Sequence, residues 1–338
     1  MQTHIIESRE SASDATVQSP TYAPAVQALV HAIRYEAEGV ISIELRPLVD
    51  SSFPPFDAGA HIDLHLPNGL VRSYSLVNPP SEERRYVIGV LLDRTSRGGS
   101  RYIHEQLRVG LTLKISRPRN NFKLHEDAGH SVLVAGGIGI TPILCMVRRL
   151  LEIGRLPDLL YCARSRREAA FIGEIEELGV PVSWHFDNEK GGPPDLKRYL
   201  ATRPHDAHFY ACGPSQMLDA FTRTSEELGH PNVHIERFAG GAAPASPQAL
   251  FTYEVELRRS GRVIQVSQEK SLLDTLLNAG IHVEHSCTAG ICGACETRVL
   301  EGEPDHRDSV LSPSEHAAGK SMMVCVSGCK SQRLVLDL

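Results

Sequence analysis

Four cysteines near the C-terminus carry the clearest chemistry in the sequence. Three of them follow the spacing C-x4-C-x2-C among small residues, and the fourth comes after one more strand-sized interval. This spacing is typical of plant-type 2Fe–2S clusters, in which four thiolates hold two irons. Gly290 and Gly293 would let the loop turn tightly and bring N–H groups toward the sulfurs. The predicted iron ligands are Cys287, Cys292, Cys295 and Cys325.

Other uses of these cysteines fit the sequence less well. Zinc sites favour paired C-x2-C units, and this stretch contains a single C-x2-C. Disulfides would require export, and residues 1–20 lack the apolar core of a signal peptide. The remaining cysteines are predicted to be thiols outside the cluster: Cys145, Cys162, Cys212 and Cys329.

Composition and charge exclude several classes of protein. The chain has 338 residues, enough for two or three domains that each bury a core. Its net charge of -6 argues against a nucleic-acid surface. No apolar run approaches the ~20 residues that span a bilayer, so no membrane association is expected. These features predict a globular protein of the cytoplasm.

Two further domains are predicted ahead of the cysteine loop, and the first follows a polar tail. Residues 1–25 are rich in Ser, Thr, Glu and Asp and are expected to form a disordered tail or a surface strap. Residues 26–125 contain six strand-like segments and one helical piece at 100–107. This pattern is typical of a small, closed antiparallel barrel.

Two stretches of this predicted barrel could bind a phosphorylated aromatic ligand. The first combines an arginine, which pairs with phosphate, and a tyrosine, which can stack on a flat ring. The second places glycines and a serine at a helix start, where backbone N–H groups bind anions. The alternatives are an ordinary strand with an exposed arginine and a plain N-capped loop. The residues concerned are Arg72, Ser73, Tyr74 and Ser75, and then Gly98, Gly99 and Ser100.

Residues 126–237 alternate strands with helices, which predicts a parallel sheet covered by helices on both faces. Two strands end in the turns GGIGITP and CGP, at the sheet edge where such folds bind ligands. Glycines there let a pyrophosphate approach backbone amides. The alternative is a tight strand-to-helix turn. The residues concerned are Gly136, Gly137, Gly139 and Thr141, and then Cys212, Gly213 and Pro214.

The final part of the chain follows a linker. Residues 238–250 are rich in Ala, Gly and Pro and carry no charge, which indicates a linker. Residues 251–338 contain a hairpin pattern, a helix, the cysteine loop and closing strands predicted at 322–328 and 333–338. This order predicts a compact α+β domain.

The order of these motifs resembles the reductase components of class IA Rieske oxygenases, such as phthalate dioxygenase reductase and vanillate demethylase reductase. The resemblance covers about residues 26–338 and rests on RSYSL, RGGS, GGIGITP, YACGP and the C-terminal cysteine loop. It implies a multi-domain fold with an antiparallel β-barrel flavin domain, an α/β parallel-sheet nucleotide domain and an α+β plant-type ferredoxin domain (β-grasp). The implied cofactors are FMN, a nicotinamide nucleotide and the 2Fe–2S cluster.

The resemblance also implies roles for the barrel residues. Arg72 and Ser73 would hold FMN phosphate or ribityl oxygens, and Tyr74 and Ser75 would lie near the isoalloxazine ring. The turn at residues 98–100 would bind the FMN phosphate.

In the middle domain, the three glycines of GGIGITP would face the nicotinamide cofactor and Thr141 would approach the flavin. Residues 212–214 would border the nicotinamide ring. Phe238 would lie beside the flavin, with a linker anchor in the core as the alternative.

The implied activity is that of an NAD(P)H-dependent oxidoreductase, with a Rieske-type terminal oxygenase as its partner. Hydride would pass to the flavin, and single electrons would leave through the cluster. This chemistry rests on positioning and potentials, so no general acid or base is predicted. NADH is favoured, but three arginines after a strand keep NADPH open: Arg164, Arg166 and Arg167.

Two alternatives keep the cofactors but change the role. One is a stand-alone NADH-dependent reductase of small electron acceptors, and the other is a redox sensor. Acidic residues after the cysteine loop could meet a basic oxygenase face or form a solvated turn. They are Glu301, Glu303, Asp305 and Asp308.

Overall fold

The computed structural model describes residues 26–49, 51–94, 98–238, 252–267 and 270–338. The predicted N-terminal tail and the predicted linker beyond Phe238 lie outside these residues. Within the described part of the chain, no helix is both long and apolar enough to cross a bilayer.

The first domain is an antiparallel barrel with one helix, as the sequence predicted. Its elements are β1 (Val26–Ala37), β2 (Val40–Pro47), β3 (His61–His65), β4 (Val71–Ser75), β5 (Tyr86–Leu91), α1 (Gly99–Gln106) and β6 (Thr112–Ile115). The strand order is β4-β3-β6-β1-β2-β5. An isolated bridge between Leu76 and Ile88 joins the outer strands, and the Val77 N–H donates to the Val87 carbonyl at 2.8 Å. These contacts close the sheet, so the alternating apolar residues fill one interior.

The second domain contains a parallel sheet of five strands. They are β7 (Ser131–Gly136), β8 (Asp158–Ala163), β9 (Val182–Phe186), β10 (His208–Cys212) and β11 (Asn232–Glu236). The helices are α2 (Ile140–Glu152), α3 (Ile172–Glu177), α4 (Asp187–Lys190), α5 (Leu196–Leu200) and α6 (Ser215–Glu227). The strand order β11-β10-β7-β8-β9 reverses direction between β7 and β10. That reversal creates the crevice in which open α/β sheets bind ligands.

The barrel and the parallel sheet share one hydrophobic core. Leu133 and Ala135 of β7 belong to the same buried cluster as the barrel interior, whereas Val132 and Val134 face a separate cluster under α5 and α6. This alternation follows from the two-residue period of a strand. The inner face of α2 also contacts the barrel, where the Cys145 thiol donates to the Asn78 carbonyl at 3.2 Å. The two domains are therefore packed as one unit.

The third domain is a small α+β fold with its own core, of the predicted β-grasp type. Its strands are β12 (Tyr253–Leu257), β13 (Arg262–Val266), β14 (Glu296–Glu301), β15 (Pro304–Asp305), β16 (Ser321–Met323), β17 (Gly328–Cys329) and β18 (Arg333–Leu336). Its helices are α7 (Leu272–Asn278) and α8 (Pro313–Ala318). The main sheet has the order β13-β12-β18-β14-β16, and β12 and β18 are parallel. The sequence suggested one strand over 322–328, but the chain turns after Met323, and this turn carries Cys325.

Candidate functional site

The four predicted iron ligands come together in the third domain. All four side chains are buried, and all four are free thiols. The Cys287 side chain hydrogen-bonds with those of Cys292 and Cys325, and Cys325 also interacts with Cys295. By contrast, Cys329 lies on β17, where its thiol donates to the Ser331 carbonyl at 2.7 Å. The structure thus groups the four cysteines that the spacing selected and leaves Cys329 outside; their role as ligands stays a prediction.

The surroundings of these thiols keep them protonated unless a positive charge lies beside them. The hydrogen bond with Cys287 and burial raise the pKa of the Cys292 thiol above its ordinary value. For Cys325, the hydrogen bond from Cys287 lowers the pKa, but the contact with Cys295 and burial raise it, to about 12 overall. Buried thiolates therefore need positive charge beside them, which two irons supply. The Ala289 N–H already points at the Cys287 sulfur, at 3.3 Å.

Two glycines of the loop are required by close contacts. Gly290 has φ +68°, and a Cβ there would lie 2.7 Å from the Val326 side chain. Gly293 has φ +73°, and its Cβ would lie 2.9 Å from the amide nitrogen of Asn121 in the barrel domain. The cysteine loop therefore presses directly against the barrel at Gly293.

A polar network joins the barrel to the cysteine loop. The Ser73 hydroxyl donates to Asp63 at 2.7 Å and lies 3.3 Å from the hydroxyl of Ser286, the residue before Cys287. Arg119 donates to the other Asp63 oxygen, at 2.7 Å. Burial alone would raise the pKa of Asp63, but Arg119 and the Ser73 hydroxyl hold that pKa below its usual value. The carboxylate stays charged and fixes both partners.

His61 provides a second link across the same boundary. The ring of this buried histidine of β3 lies close to the backbone of Cys292, and its Nε2 has no hydrogen-bond partner among the described residues. Burial and the nearby Arg119 charge lower the pKa of His61 to about 4, so its ring is neutral at pH 7. Neither His61 nor Asp63 was a candidate from the sequence, because strand position gives no sign of which domain a side chain will meet.

The predicted anion-binding residues of the barrel meet at the start of α1. A Cβ on Gly99 would lie 2.5 Å from Nε of Arg72, so the arginine side chain lies across the first turn of this helix. Gly98 precedes the helix with φ +95°. Ser100 accepts a hydrogen bond from the Asp93 N–H at 3.2 Å. A guanidinium beside helical N–H groups matches a phosphate in charge and geometry.

The other residues of the β4 motif point to different neighbours. Because side chains alternate along a strand, Ser73 and Ser75 share one face and Tyr74 lies on the other. Ser73 is held by Asp63, whereas the Ser75 hydroxyl donates to Glu236 at 3.3 Å. Tyr74 is partly buried, and burial raises its pKa, so its phenol stays neutral. The β4 motif therefore contacts both the domain with the parallel sheet and the domain with the cysteine loop.

The two glycine turns of the parallel sheet contact one another. A Cβ on Gly139 would lie 2.2 Å from the Cys212 carbonyl oxygen, and one on Gly213 would lie 2.9 Å from Cα of Gly136. These glycines are thus needed where the two turns pack against each other, and their predicted role at the nucleotide stays a prediction. Gly137 differs, because it has φ +54° and a Cβ there would meet nothing within 4 Å. It is the glycine of this turn whose backbone has open space beside it.

The remaining candidates border the seam between the sheet and the barrel. Thr141 is buried and its hydroxyl donates to the Ile138 carbonyl at 3.0 Å. A Cβ on Gly89 of β5 would lie 2.6 Å from the Thr141 methyl group, so Thr141 touches the barrel. Pro214 is exposed at the start of α6, and Phe238 is partly exposed just beyond β11.

Glu236 is a functional candidate that the sequence reasoning missed. It ends β11 and receives the hydrogen bond from Ser75. Burial raises the pKa of Glu236 to about 8, and burial, with the nearby Glu236 carboxyl as a smaller cause, raises the pKa of Cys212. A carboxyl that titrates near neutrality, beside two predicted site residues, is typical of a functional position. The sequence feature that could have identified Glu236 is its position, at the carboxyl end of the last strand of the sheet and two residues before Phe238.

Comparisons with known proteins agree with this architecture. Residues 255–330 match the family model described as a 2Fe-2S iron-sulfur cluster binding domain. Phenoxybenzoate dioxygenase subunit beta of Ectopseudomonas oleovorans is 48% identical over 318 residues, covering 94% of this chain and 98% of that protein. Tetrachlorobenzoquinone reductase of Sphingobium chlorophenolicum is 49% identical over 307 residues, covering 89% and 94%.

Among solved structures, phthalate dioxygenase reductase superposes with a TM-score of 0.69 at 36% identity, covering 93% of this chain and 98% of that one. The barrel, the parallel sheet and the cluster-binding domain together define a modular iron–sulfur oxidoreductase. The chain belongs to the class IA reductase family, as its motif order predicted.

Proposed function

We propose that this protein is an NADH-dependent reductase that supplies electrons to a Rieske-type terminal oxygenase. Bound FMN would convert the two electrons of a hydride into single electrons, which the 2Fe–2S cluster would deliver to the oxygenase. The observation that carries the proposal is the position of β4, where Ser73 reaches Ser286 beside the cluster loop and Ser75 reaches Glu236. Two relatives support it, one described as a dioxygenase subunit and one as transferring electrons from pyridine nucleotides to a 2Fe–2S centre.

The barrel residues would bind and orient the flavin. Arg72, lying against Gly99, would neutralise the phosphate together with the first N–H groups of α1. This arrangement suits the terminal phosphate of FMN. Tyr74, held neutral by burial, offers an apolar ring with a hydrogen-bonding phenol.

The carboxyl edge of the parallel sheet would bind the nicotinamide nucleotide. Gly137 offers backbone N–H with open space beside it, and the contact between the two glycine turns keeps that edge rigid. Glu236 would hold a proton at neutral pH because of its raised pKa, and the Ser75 contact fixes that carboxyl at the seam.

NADH is favoured because the basic turn after β8 already has partners. The Arg166 guanidinium lies 5.2 Å from the ring centre of Phe186 and 3.6 Å from Glu176. Arg167 pairs with Glu38 at 3.4 Å. A 2′-phosphate would compete with these contacts. A cytoplasmic location is also proposed, since all eight cysteines are free thiols.

The proposal is tested by combining the purified holoprotein with NADH and a class IA Rieske oxygenase. Oxygenase reduction and product formation should require both NADH and this protein. Flavin extraction should yield FMN. If the oxygenase centre stays oxidised while NADH is consumed with a small acceptor, the assignment of the partner is wrong.

A second candidate function has one specific observation in its favour. The 49% identity to tetrachlorobenzoquinone reductase fits a reductase that acts directly on a substituted quinone. Under this alternative, NADH oxidation would be rapid with a chlorinated benzoquinone and would need no oxygenase. Comparing the specificity constants for the quinone and for the oxygenase distinguishes the two functions.

A further inference from the structure

Three histidines from two domains meet beside the start of β10. His125 lies on the segment that leaves the barrel, His208 begins β10 and His234 lies in the middle of β11. Each offers a ring nitrogen, and these three atoms lie within 4.8 Å of one another. The register of β10 and β11 places Tyr210 opposite His234, so His208 and His234 are diagonal neighbours on one face of the sheet.

The geometry of the rings fits coordination of one ion. Nδ1 of His208 and Nε2 of His234 face each other at a hydrogen-bond distance of 3.1 Å, and the two nearly parallel rings, 16° apart, have their centres 5.2 Å apart. Two imidazole nitrogens bound to one zinc ion at about 2.0–2.1 Å would lie about 3.3 Å apart at the tetrahedral angle. The His125 ring is tilted by 46° from His208 and 30° from His234, so it adds a third direction.

Tyr210 contacts two of the three histidines. Its hydroxyl accepts a hydrogen bond from the backbone N–H of His125 at 2.9 Å, and its ring stacks on the ring of His234 with centres 4.6 Å apart. His125 is exposed and the other two histidines are partly exposed, which leaves an entry path and a position for water. The Asp127 carboxylate, which interacts electrostatically with His208, favours a cation here.

We propose that His125, His208 and His234 bind one divalent transition-metal ion of the zinc type, with water in the open position. The ion would fasten the segment after the barrel to β10 and β11 of the parallel sheet. The site is distinct from the nucleotide edge, since His208 begins β10 and Cys212 ends it, a strand length of ~13 Å.

A second group among the described residues, His306, Asp308 and His316, serves as a contrast. Its ligand atoms are also close together, but the two imidazole rings stack face to face, with centres 4.4 Å apart and planes 14° apart. Ring nitrogens coordinate through lone pairs in the ring plane, so parallel stacked rings cannot both address one ion. Removing His316 therefore provides a matched control.

The test uses untagged holoprotein with its full iron content. Equilibrium dialysis against Zn²⁺, with zinc and iron counted by mass spectrometry, should show about one zinc bound per chain without loss of iron. His316→Gln should bind zinc like the unmodified protein. The double variant His208→Gln/His234→Gln should bind it at least about tenfold more weakly, because two of three ligands are lost.

Zinc should also raise the unfolding temperature of the unmodified protein and of His316→Gln, but not that of the double variant. The double variant could fail to fold because it changes two strands, so His125→Gln is measured as well. This side chain is exposed and lies outside both strands, and its replacement should also weaken zinc binding. The proposal is overturned if the unmodified protein binds no zinc, if zinc only displaces iron, or if His125→Gln and the double variant keep the original affinity.

Discussion

The Ser73 hydroxyl of the barrel lies 3.3 Å from the Ser286 hydroxyl, immediately before the first cysteine of the cluster loop. Asp63 fixes Ser73 from the other side at 2.7 Å, and Arg119 neutralises Asp63 at the same distance. A charged, buried network of this kind resists rearrangement, because leaving any member unpaired costs its desolvation. The barrel and the cluster domain are therefore docked through the strand that carries the predicted flavin residues.

Replacing Ser286 with Ala should slow electron delivery to the cluster without affecting hydride transfer. The lost contact is worth about 0.5–1.5 kcal/mol, so cytochrome c reduction should fall by about two- to tenfold. NADH-dependent ferricyanide reduction, which takes electrons from the flavin, should be unchanged. Ser260→Ala, at an exposed turn of the same domain, is the matched control. Equal loss with both acceptors would show that Ser286 acts on folding or on the nucleotide site instead.

Glu236 should make the hydride step depend on pH. Because its pKa is raised to about 8, the carboxyl is protonated at neutrality and loses its proton as the pH rises through 8. The rate of flavin reduction by NADH should change across that range in the original protein and stay flat in Glu236→Gln. Stopped-flow measurements between pH 6 and about 9.5 check this, since the midpoint is expected near the cited pKa. An unchanged profile in the variant would assign the titration to another group.

The same group should affect stability with a defined sign. The folded protein binds this proton up to about pH 8, whereas the unfolded chain releases it near the ordinary value of 4.5. Between these values the native state holds more protons, so its stability falls as the pH rises, by at most about 1.4 kcal/mol per pH unit. When the unfolding free energy is measured with denaturant at several pH values, Glu236→Gln should not show this decrease between about pH 4.5 and 8.

The sequence predicted most of the fold because its signals are local. The C-x4-C-x2-C spacing, the alternating strands before residue 126 and the strand–helix alternation after it each depend on neighbouring residues. The contact between Arg72 and Gly99 was also foreseeable, since an anion site needs a cation near helical N–H groups.

The residues that join the domains could not be predicted in this way. Asp63, His61 and Arg119 lie in or beside strands that read as ordinary barrel segments, and their role follows from which domain packs against them. Glu236 is similar, because its pKa is raised by burial and its hydrogen-bond partner Ser75 belongs to the barrel domain. Gly139 was predicted to face the nucleotide, which stays a prediction. Its close approach to the Cys212 carbonyl depends on how two distant turns pack, so the sequence could not show it.

Gly139→Ala should destabilise the junction of the two glycine turns. Its Cβ would lie 2.2 Å from the Cys212 carbonyl oxygen, and backbone atoms cannot move aside as a flexible side chain can. A loss of about 1–3 kcal/mol in unfolding free energy is expected, with weaker NADH binding. Gly173→Ala is the control, because that helical position has nothing within 4 Å of the added Cβ. It should be neutral or stabilising by up to about 1 kcal/mol.

Arg72→Ala should weaken flavin binding. The side chain lies against the first turn of α1, and a charged hydrogen bond to phosphate is worth about 1.5–3 kcal/mol, or roughly ten- to a hundredfold in affinity. Fluorescence titration of flavin-free protein with FMN measures the change. Arg108→Ala, just beyond the other end of the same helix and exposed, should bind FMN normally. Equal affinities in the two variants would place the phosphate elsewhere.

Cys325 and Cys329 provide the sharpest comparison of two similar residues, four positions apart. Cys325 is buried and its side chain interacts with Cys287 and Cys295, whereas Cys329 lies on β17 and its thiol donates to the Ser331 carbonyl. Cys325→Ser should therefore lose iron and cytochrome c reduction while keeping ferricyanide reduction, because flavin binding depends on the barrel. Cys329→Ser should keep about two irons per chain and both activities. Iron and acid-labile sulfide analysis of the two variants measures this directly, and a cluster lost from Cys329→Ser but kept in Cys325→Ser would reverse the ligand assignment.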